Sequence, residues 1–372
     1  MFEKRLLRYV DWWLLGAAGV LSCLGVVMIC SCTFQARADA GMNPFGKAEL
    51  QVLWFVVGLV ALCAMALPDY TRFMSFRHGI YVTMVVLLVL VVVVGRILHG
   101  AQRWLAIGPL HLQPSELAQV GLTITLAALL ARREEQRASA TTLGLSLVHA
   151  LPVAALIFLE RDLGTPLIIL GIWLVVMFAS GARIEQLAVV VLVVLIGFGL
   201  MWGLDVINDY QKRRLVAFAN PGSDPRGAGY HLQQAKTAVG SGGIVGCGLF
   251  EGTHSKLGFI PEQSTDFIFT VVGEETGFVG STLLLILYGF LLHRCLLVAE
   301  QAKDTFGRLI AVGIGAMFFI HIFVNIGMTL GLMPVKGLPL PFFSYGGSNM
   351  LASMAAIGLL QNIHIRRHKI AF

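Results

Sequence analysis

LGLSLVHALPVAALIFLERDLGTPLIILGIWLVVMFASGA, residues 143–182, is apolar except where Glu160-Arg161-Asp162 interrupts it. About 20 helical residues cross a hydrocarbon core, so one helix of this length would be about twice too long. The stretch reads as two membrane spans joined by a tight polar turn. Working outward, comparable runs lie near 11–33, 50–67, 78–98, 114–131, 186–204, 267–292, 308–332 and 344–364. With 143–160 and 163–182, that makes ten. The whole chain of 372 residues agrees: 57% are hydrophobic and 13% charged, against roughly 25% charged in soluble domains. Mean hydropathy is +0.79. Such numbers exclude a disordered chain and argue against a soluble globular one. The expected fold class is an all-α polytopic membrane protein with ten transmembrane helices, a single domain over 1–372. Lys4, Arg5 and Arg8 precede the first run, which is too long for a secretory leader and is expected to stay as a helix.

Orientation follows from the basic residues. Of the 27 Lys and Arg, 15 fall in segments that are cytoplasmic if the N-terminus is inside, and 12 fall outside. Six of those 12 sit in one long segment, about 205–265, and long loops have little influence on orientation. Both termini are therefore expected in the cytoplasm. The long segment, between the seventh and eighth spans, is extracytoplasmic and reads as an ordered cap over a membrane cavity. The formal charge of +6 belongs to this loop bias and does not call for nucleic acid. The six cysteines form no C-x-x-C pair, so neither a metal knot nor a disulfide framework is signalled. Gly240-Ser241-Gly242-Gly243 lacks the Gly-Lys-Ser/Thr of a phosphate-binding loop.

Ionisable groups at membrane depth mark candidate sites. Arg103-Trp104 and Gln113-Pro114-Ser115-Glu116 precede and open one span. Glu116 reads either as a first-turn residue favoured by the helix dipole or as a site residue. Asp162, in the Glu160-Arg161-Asp162 turn, reads either as the cap of the next helix or as a charge lining an outward cavity. In PEQSTDFIF, 261–269, Thr265 or Asp266 can cap the span that follows. Asp266 also stands where the long segment meets the membrane, and a partly shielded carboxylate there can serve as a general base. In MPVKGLPLPFFSYGGS, 333–348, the prolines break helix, so a non-helical loop is expected, with Lys336 as its cation. His321 and Asn325 share one face of the ninth span and read as interhelical hydrogen-bond partners.

These clusters together resemble the SEDS family (shape, elongation, division and sporulation), and more closely its RodA type. The matching pieces are AQRWLAIG and QPSEL (101–117), DLGT (162–165), DPRGAGYHLQQAKTAVGSGG (224–243), LGFIPEQSTDFIF with GEETGFVG (257–280) and GLMPVKGLPLPFFSYGGS (331–348). DPRGAGYH and AVGSGG favour the RodA type over the FtsW type of cell division. The resemblance implies a ten-helix peptidoglycan glycosyltransferase of the bacterial inner membrane. Such an enzyme polymerises lipid II into glycan strands on the outer face, for elongation and rod shape. It also implies that Asp266 is the essential acid, deprotonating the 4-hydroxyl of an acceptor N-acetylglucosamine while undecaprenyl diphosphate leaves. Arg103, Arg213, Lys236 and Lys256 are candidates to meet the diphosphate; Glu116, Asp162 and Lys336 are further candidates for the substrate site. No cofactor or metal site is expected, though a divalent cation is compatible with diphosphate chemistry. The implied partners are lipid II and undecaprenyl-linked glycan, a class B penicillin-binding protein (the crosslinking transpeptidase) and other membrane proteins of the elongation machinery. A lipid II flippase, a non-catalytic scaffold and a division-type glycosyltransferase are the competing readings. In one place the chain departs from the family pattern: a Lys usually stands three residues beyond the Glu of QPSE, and here that position is Gln119.

Overall fold

A computed structural model describes residues 9–98, 101–107, 110–160, 162, 164–205, 209–220 and 227–367. Among these, each of the ten expected spans coincides with a helix. They are α1 (Trp12–Asp39), α2 (Gly46–Ala66), α4 (Arg77–Val94), α5 (Pro114–Ala131), α6 (Ala140–Leu159), α7 (Gly164–Ser180), α8 (Ile184–Gly203), α12 (Ile268–Glu300), α13 (Thr305–Thr329) and α14 (Gly347–Ile365). Eight are long and apolar enough to cross a membrane; α7 is apolar but shorter, with 17 residues. Helix α14 is buried on every side and carries Asn349, Ser353, Gln361 and Asn362, which explains its lower hydropathy. A short α3 (Tyr70–Ser75) links α2 to α4.

The interior is built from α5, α13 and α14, whereas α8 buries almost nothing and presents its apolar sides outward. Helix α13 packs against α5, α7 and α12, and α14 lies along α2. At the end of α1, Asp11 accepts from Trp13 N and Leu14 N, capping the helix, and pairs with Arg294 at 2.6 Å. Gln361 holds its backbone from α14, donating at 2.7 Å to Asp11 O. Asp11 therefore joins three helices, through its carboxylate to α1 and α12 and through its backbone to α14, and pairing with Arg294 offsets the cost of burying the charge.

Two features differ from expectation. The span expected over 78–98 ends at Val94, and the chain then forms a three-stranded antiparallel sheet: β1 (Arg96–Leu98), β2 (Ala101–Ile107) and β3 (Leu110–Leu112). Alternation in RILHGAQRWLAIGPLHL, with Gly and Pro between the apolar pieces, carries that signal. Second, α12 is broken inside: Gly277 sits at φ 64, ψ −159, a conformation that requires glycine. The backbone groups released there are taken by an incoming loop. Cys247 N donates to Glu274 O at 3.0 Å and Gly248 N to Glu275 O at 3.1 Å, while Phe278 N donates to Gly243 O at 2.9 Å.

That loop belongs to the segment over 205–265, which folds into α9 (Asp209–Ala219), α10 (Ala228–Ser241) and α11 (Thr253–Leu257). A small core of Leu232, Ala235, Ala238, Ile260, Phe267 and Val335, with Phe218 against it, packs the segment onto the start of α12 and the loop after α13.

Candidate active site

Non-helical backbone runs from the end of α13 to Gly346, as the prolines require. Its carbonyls cannot pair along a helix, and buried carbonyls need donors. Side chains from four helices supply them. Asn325 donates to Leu338 O at 2.7 Å, a His321 ring nitrogen lies 3.1 Å from Pro339 O, and Asn349 donates to Leu340 O at 3.2 Å. Tyr288 donates to Pro341 O at 2.8 Å and Gln51 to Ser344 O at 3.1 Å. His321 and Asn325, expected to bond between helices, thus mainly hold this non-helical loop; His321 alone also reaches another helix, with Nε2 2.9 Å from Gln119 Oε1.

This clamped loop carries Gly337 to the carboxylate of Asp266. A Cβ at Gly337 would stand 2.9 Å from Asp266 Oδ2, so any larger residue here would press on the carboxylate and shift it. Asn325 also donates to Asp266 O at 2.9 Å, fixing the backbone of the acid to the same helix. The capping role is not realised: Phe267 is the N-cap of α12, and no side chain caps it. Asp266 is half-buried. Its surroundings push the carboxyl up to about 7, mainly through loss of water; Arg103 and Arg214 oppose the rise, and Glu262 and Asp162 reinforce it. Such a group is poised to exchange a proton near neutrality.

The other groups arrive from several segments. Asp162 takes the capping role and also carries an ion pair. It caps α7, accepting from Gly164 N at 2.8 Å and Thr165 Oγ1 at 2.8 Å, and it pairs with Arg103 at 3.2 Å. Arg103 comes from β2, so the unexpected sheet is what delivers it. Glu116 is buried in the first turn of α5, within electrostatic reach of Asp162, Arg103 and Asp266. Lys336 is half-buried, its ammonium pushed down to about 8 by burial and held up by Asp162. Five of the residues singled out from sequence, Arg103, Glu116, Asp162, Asp266 and Lys336, therefore share one electrostatic site.

Three do not join it. Arg213 is exposed, while its neighbour Arg214 is the one whose charge acts on Asp266. Lys236 is exposed and lies across Gly331, and Lys256 is exposed and pairs with Glu251 at 3.4 Å. Arg161 lies outside the described residues. Besides Arg214, two further groups bear on the site: Glu160, read in sequence only as part of the polar turn, and Lys47, not singled out there. Glu160 is buried with neither carboxyl oxygen hydrogen-bonded among the described residues, and burial pushes it up to about 8, with Asp162 adding and Arg103 opposing. Lys47 donates to Ser264 at 3.2 Å and sits 5.4 Å from the Tyr345 ring centroid, beside the Asp266 loop. Its place in a span's first turn marks it only as an ordinary flanking charge. The missing Lys near Glu116 is answered locally by Gln119, which donates to Glu116 Oε2 at 3.5 Å. Beside Pro114, an apolar groove of about 430 Å³ runs between α4 and α5, lined by Ile80, Met84, Leu87 and Leu117 among others.

With this arrangement in view, comparison with known proteins is informative. The family model of the FtsW, RodA and SpoVE cell cycle proteins matches residues 11–369. The chain belongs to this family. Peptidoglycan glycosyltransferase MrdB of Escherichia coli K12 is 39% identical over 329 residues, covering 88% of each chain. Peptidoglycan glycosyltransferase RodA of Treponema pallidum is 30% identical, with 96% of this chain and 98% of that one covered. A probable FtsW glycosyltransferase of Geobacter metallireducens is 35% identical over 98% and 96%. Among solved structures, a chain from a peptidoglycan synthase complex that coordinates polymerization and crosslinking superimposes with a TM-score of 0.81, at 32% identity and 97% and 99% coverage. Thermus thermophilus rod shape determining protein RodA gives 0.72 at 31% identity, over 97% and 98%. Family membership and the apolar helices make this a multi-pass membrane protein.

Proposed function

We propose that the chain is a peptidoglycan glycosyltransferase that polymerises lipid II, with Asp266 as the general base. Asp266 carries the reading: among the described residues its hydrogen bonds are made by its backbone, it does not cap α12, and it titrates near neutrality under the charges of Arg103 and Arg214. It takes the proton of the acceptor 4-hydroxyl as that oxygen attacks the anomeric carbon of the lipid-linked donor. The bond from that carbon to the diphosphate breaks, and undecaprenyl diphosphate leaves. Charge developing on the diphosphate is met by Arg103, Arg214 and Lys336, which act best in a water-poor site. The groove between α4 and α5 suits an isoprenoid chain, being apolar and open at the first turn of α5.

The elongation-type role fits the MrdB and RodA relatives. A class B penicillin-binding protein is the expected crosslinking partner, alongside other membrane proteins of the elongation machinery. In this reading the chain crosses the inner membrane ten times with both termini in the cytoplasm, and the Asp266 site faces outward. Outside labelling of Glu251→Cys but not of Ala140→Cys is the outcome this topology requires. The test of function is polymerisation: purified chain with its transpeptidase partner should convert lipid II to glycan, and Asp266→Asn should not. Movement of lipid II between leaflets without elongation would instead mean a flippase, and neither activity would mean a scaffold. Chelator titration of the same assay decides whether a divalent cation shares the diphosphate.

A further inference from the structure

Behind the Asp266 site, three buried polar side chains form a chain between α5 and α13. Glu116, Gln119 and His321 are 5%, 0% and 2% exposed. Gln119 Nε2 donates to Glu116 Oε2 at 3.5 Å, Gln119 Oε1 lies 2.9 Å from His321 Nε2, and His321 Nδ1 lies 3.1 Å from Pro339 O. Each oxygen dictates something about the histidine. The Pro339 carbonyl only accepts, so Nδ1 must carry a hydrogen. With the amide oriented this way, Gln119 Oε1 also only accepts, so a hydrogen bond there needs a hydrogen on Nε2 as well. His321 is then an imidazolium and Glu116 a carboxylate, bridged by the amide. If the amide turns over, its NH₂ donates to the bare Nε2 of a neutral imidazole, and its oxygen accepts from a protonated Glu116. All hydrogen bonds are again satisfied. Both arrangements contain the same number of protons. They differ only in which end of the bridge holds one of them.

We propose that His321 and Glu116 share one proton across Gln119, and that this pair sets the charge Glu116 presents to the site. His321 and Gln119 are positioning residues; neither touches the reacting atoms. The groups acting on the pair are Asp162, Arg103 and Asp266 at Glu116, and Asp162 at His321. When an anion enters the site, a carboxylate at Glu116 repels it. The proton then crosses the bridge: His321 Nε2 gives its proton to Gln119 Oε1 as Gln119 Nε2 gives one to Glu116. The imidic acid so formed turns over and moves its proton from oxygen to nitrogen, restoring the amide in the reversed orientation with the acid neutral. No proton is drawn from solvent, and Pro339 keeps its donor throughout. The consequence for catalysis rests on the glycosyltransferase reading, in which the entering anion is a lipid diphosphate.

The test uses the full chain with its transpeptidase partner. His321→Asn keeps a donor for Pro339 but cannot hold the proton. It should lower polymerisation about tenfold, and in a Glu116→Gln background the same change should cost less than about twofold, since coupled residues are non-additive. Gln119→Lys places an ammonium one turn from Glu116 and should bring His321→Asn back to within about threefold of the unsubstituted chain. An independent readout is the infrared band of the protonated carboxyl that Glu116→Gln removes. Adding undecaprenyl diphosphate to vesicle-embedded protein should strengthen that band without proton uptake from the buffer, and in His321→Asn the band should already be at full strength beforehand. A normal His321→Asn variant, an undiminished defect in the Glu116→Gln background, or a band unchanged by bound diphosphate would each overturn the relay. Absence of diphosphate binding would instead count against the glycosyltransferase reading, and the activity cycle would still judge the relay.

Discussion

Asp266 and Glu274 flank the same helix start, one just before α12 and one in its second turn, yet they hold opposite positions energetically. Glu274 is 2% exposed and saturated. It accepts from His254 N at 2.7 Å, Ser255 N at 3.2 Å and Ser255 Oγ at 2.8 Å, with His254 Nδ1 at 3.1 Å. Those bonds cap the short α11 and anchor the 205–265 segment. Asp266 is held through its backbone, by Asn325 from one side and by Glu262 O, which accepts from its amide at 3.0 Å. A carboxylate whose lone pairs are consumed at rest is a structural part. One gripped, among the described residues, by its main chain is free to take a proton from a substrate.

Substitution separates the two most sharply. Asp266→Asn should lower glycan polymerisation by about 10²–10⁴-fold, the usual worth of a general base, with the fold retained. Glu274→Gln should keep turnover at permissive temperature and lose about 1–3 kcal/mol of stability, from donors left unpaired. If Glu274→Gln lost as much activity as Asp266→Asn while melting at the unsubstituted temperature, the contrast would collapse.

Acidity sharpens it next. Asp266 must lose its proton to act, and its carboxyl titrates at about 7, so the rate should fall about tenfold per unit below that pH. Lys336 titrates at about 8 and should impose a decline above it, which Lys336→Met removes. Stability runs the other way. The folded carboxyl holds its proton more tightly than the unfolded one, so its ionisation costs stability as pH rises from about 4 to about 7. Asp266→Asn should therefore gain thermostability relative to the unsubstituted chain at pH 8 compared with pH 4.

Arg103→Gln tests the surroundings of Asp266: it leaves Asp162 buried without its cation and should cost about tenfold in polymerisation. The smallest effects discriminate neighbours. Arg214→Gln should cost about threefold, and Arg213→Gln or Lys256→Ala should stay within about twofold, as exposed charges do. Equal effects at 213 and 214 would mean that α9 is rotated from the orientation described.

Much of the molecule could be read from local pattern. Apolar length marked a helix at each expected position, eight of them long and apolar enough to cross a bilayer, which demands about 20 apolar residues per crossing. Pro339 and Pro341 marked the non-helical loop, because proline removes a donor and clashes within a helix. The rarity of charge at depth brought out Asp266, Asp162, Glu116, Arg103 and Lys336. Partnership was not legible. Arg213 and Arg214 are equivalent as sequence, and only the rotation of α9 turns one of them toward Asp266. Capping chemistry favoured Asp266 as a cap as strongly as it did Asp162, and only the packed chain shows that Asp162 caps while Asp266 does not. Gln119 reads as a lost charge until α13 brings His321 alongside it. Sequence pattern records what one segment needs, such as burial, a helix or a turn. Which distant segment answers that need is decided when the helices pack, and at this site the answer separates a structural carboxylate from a reactive one.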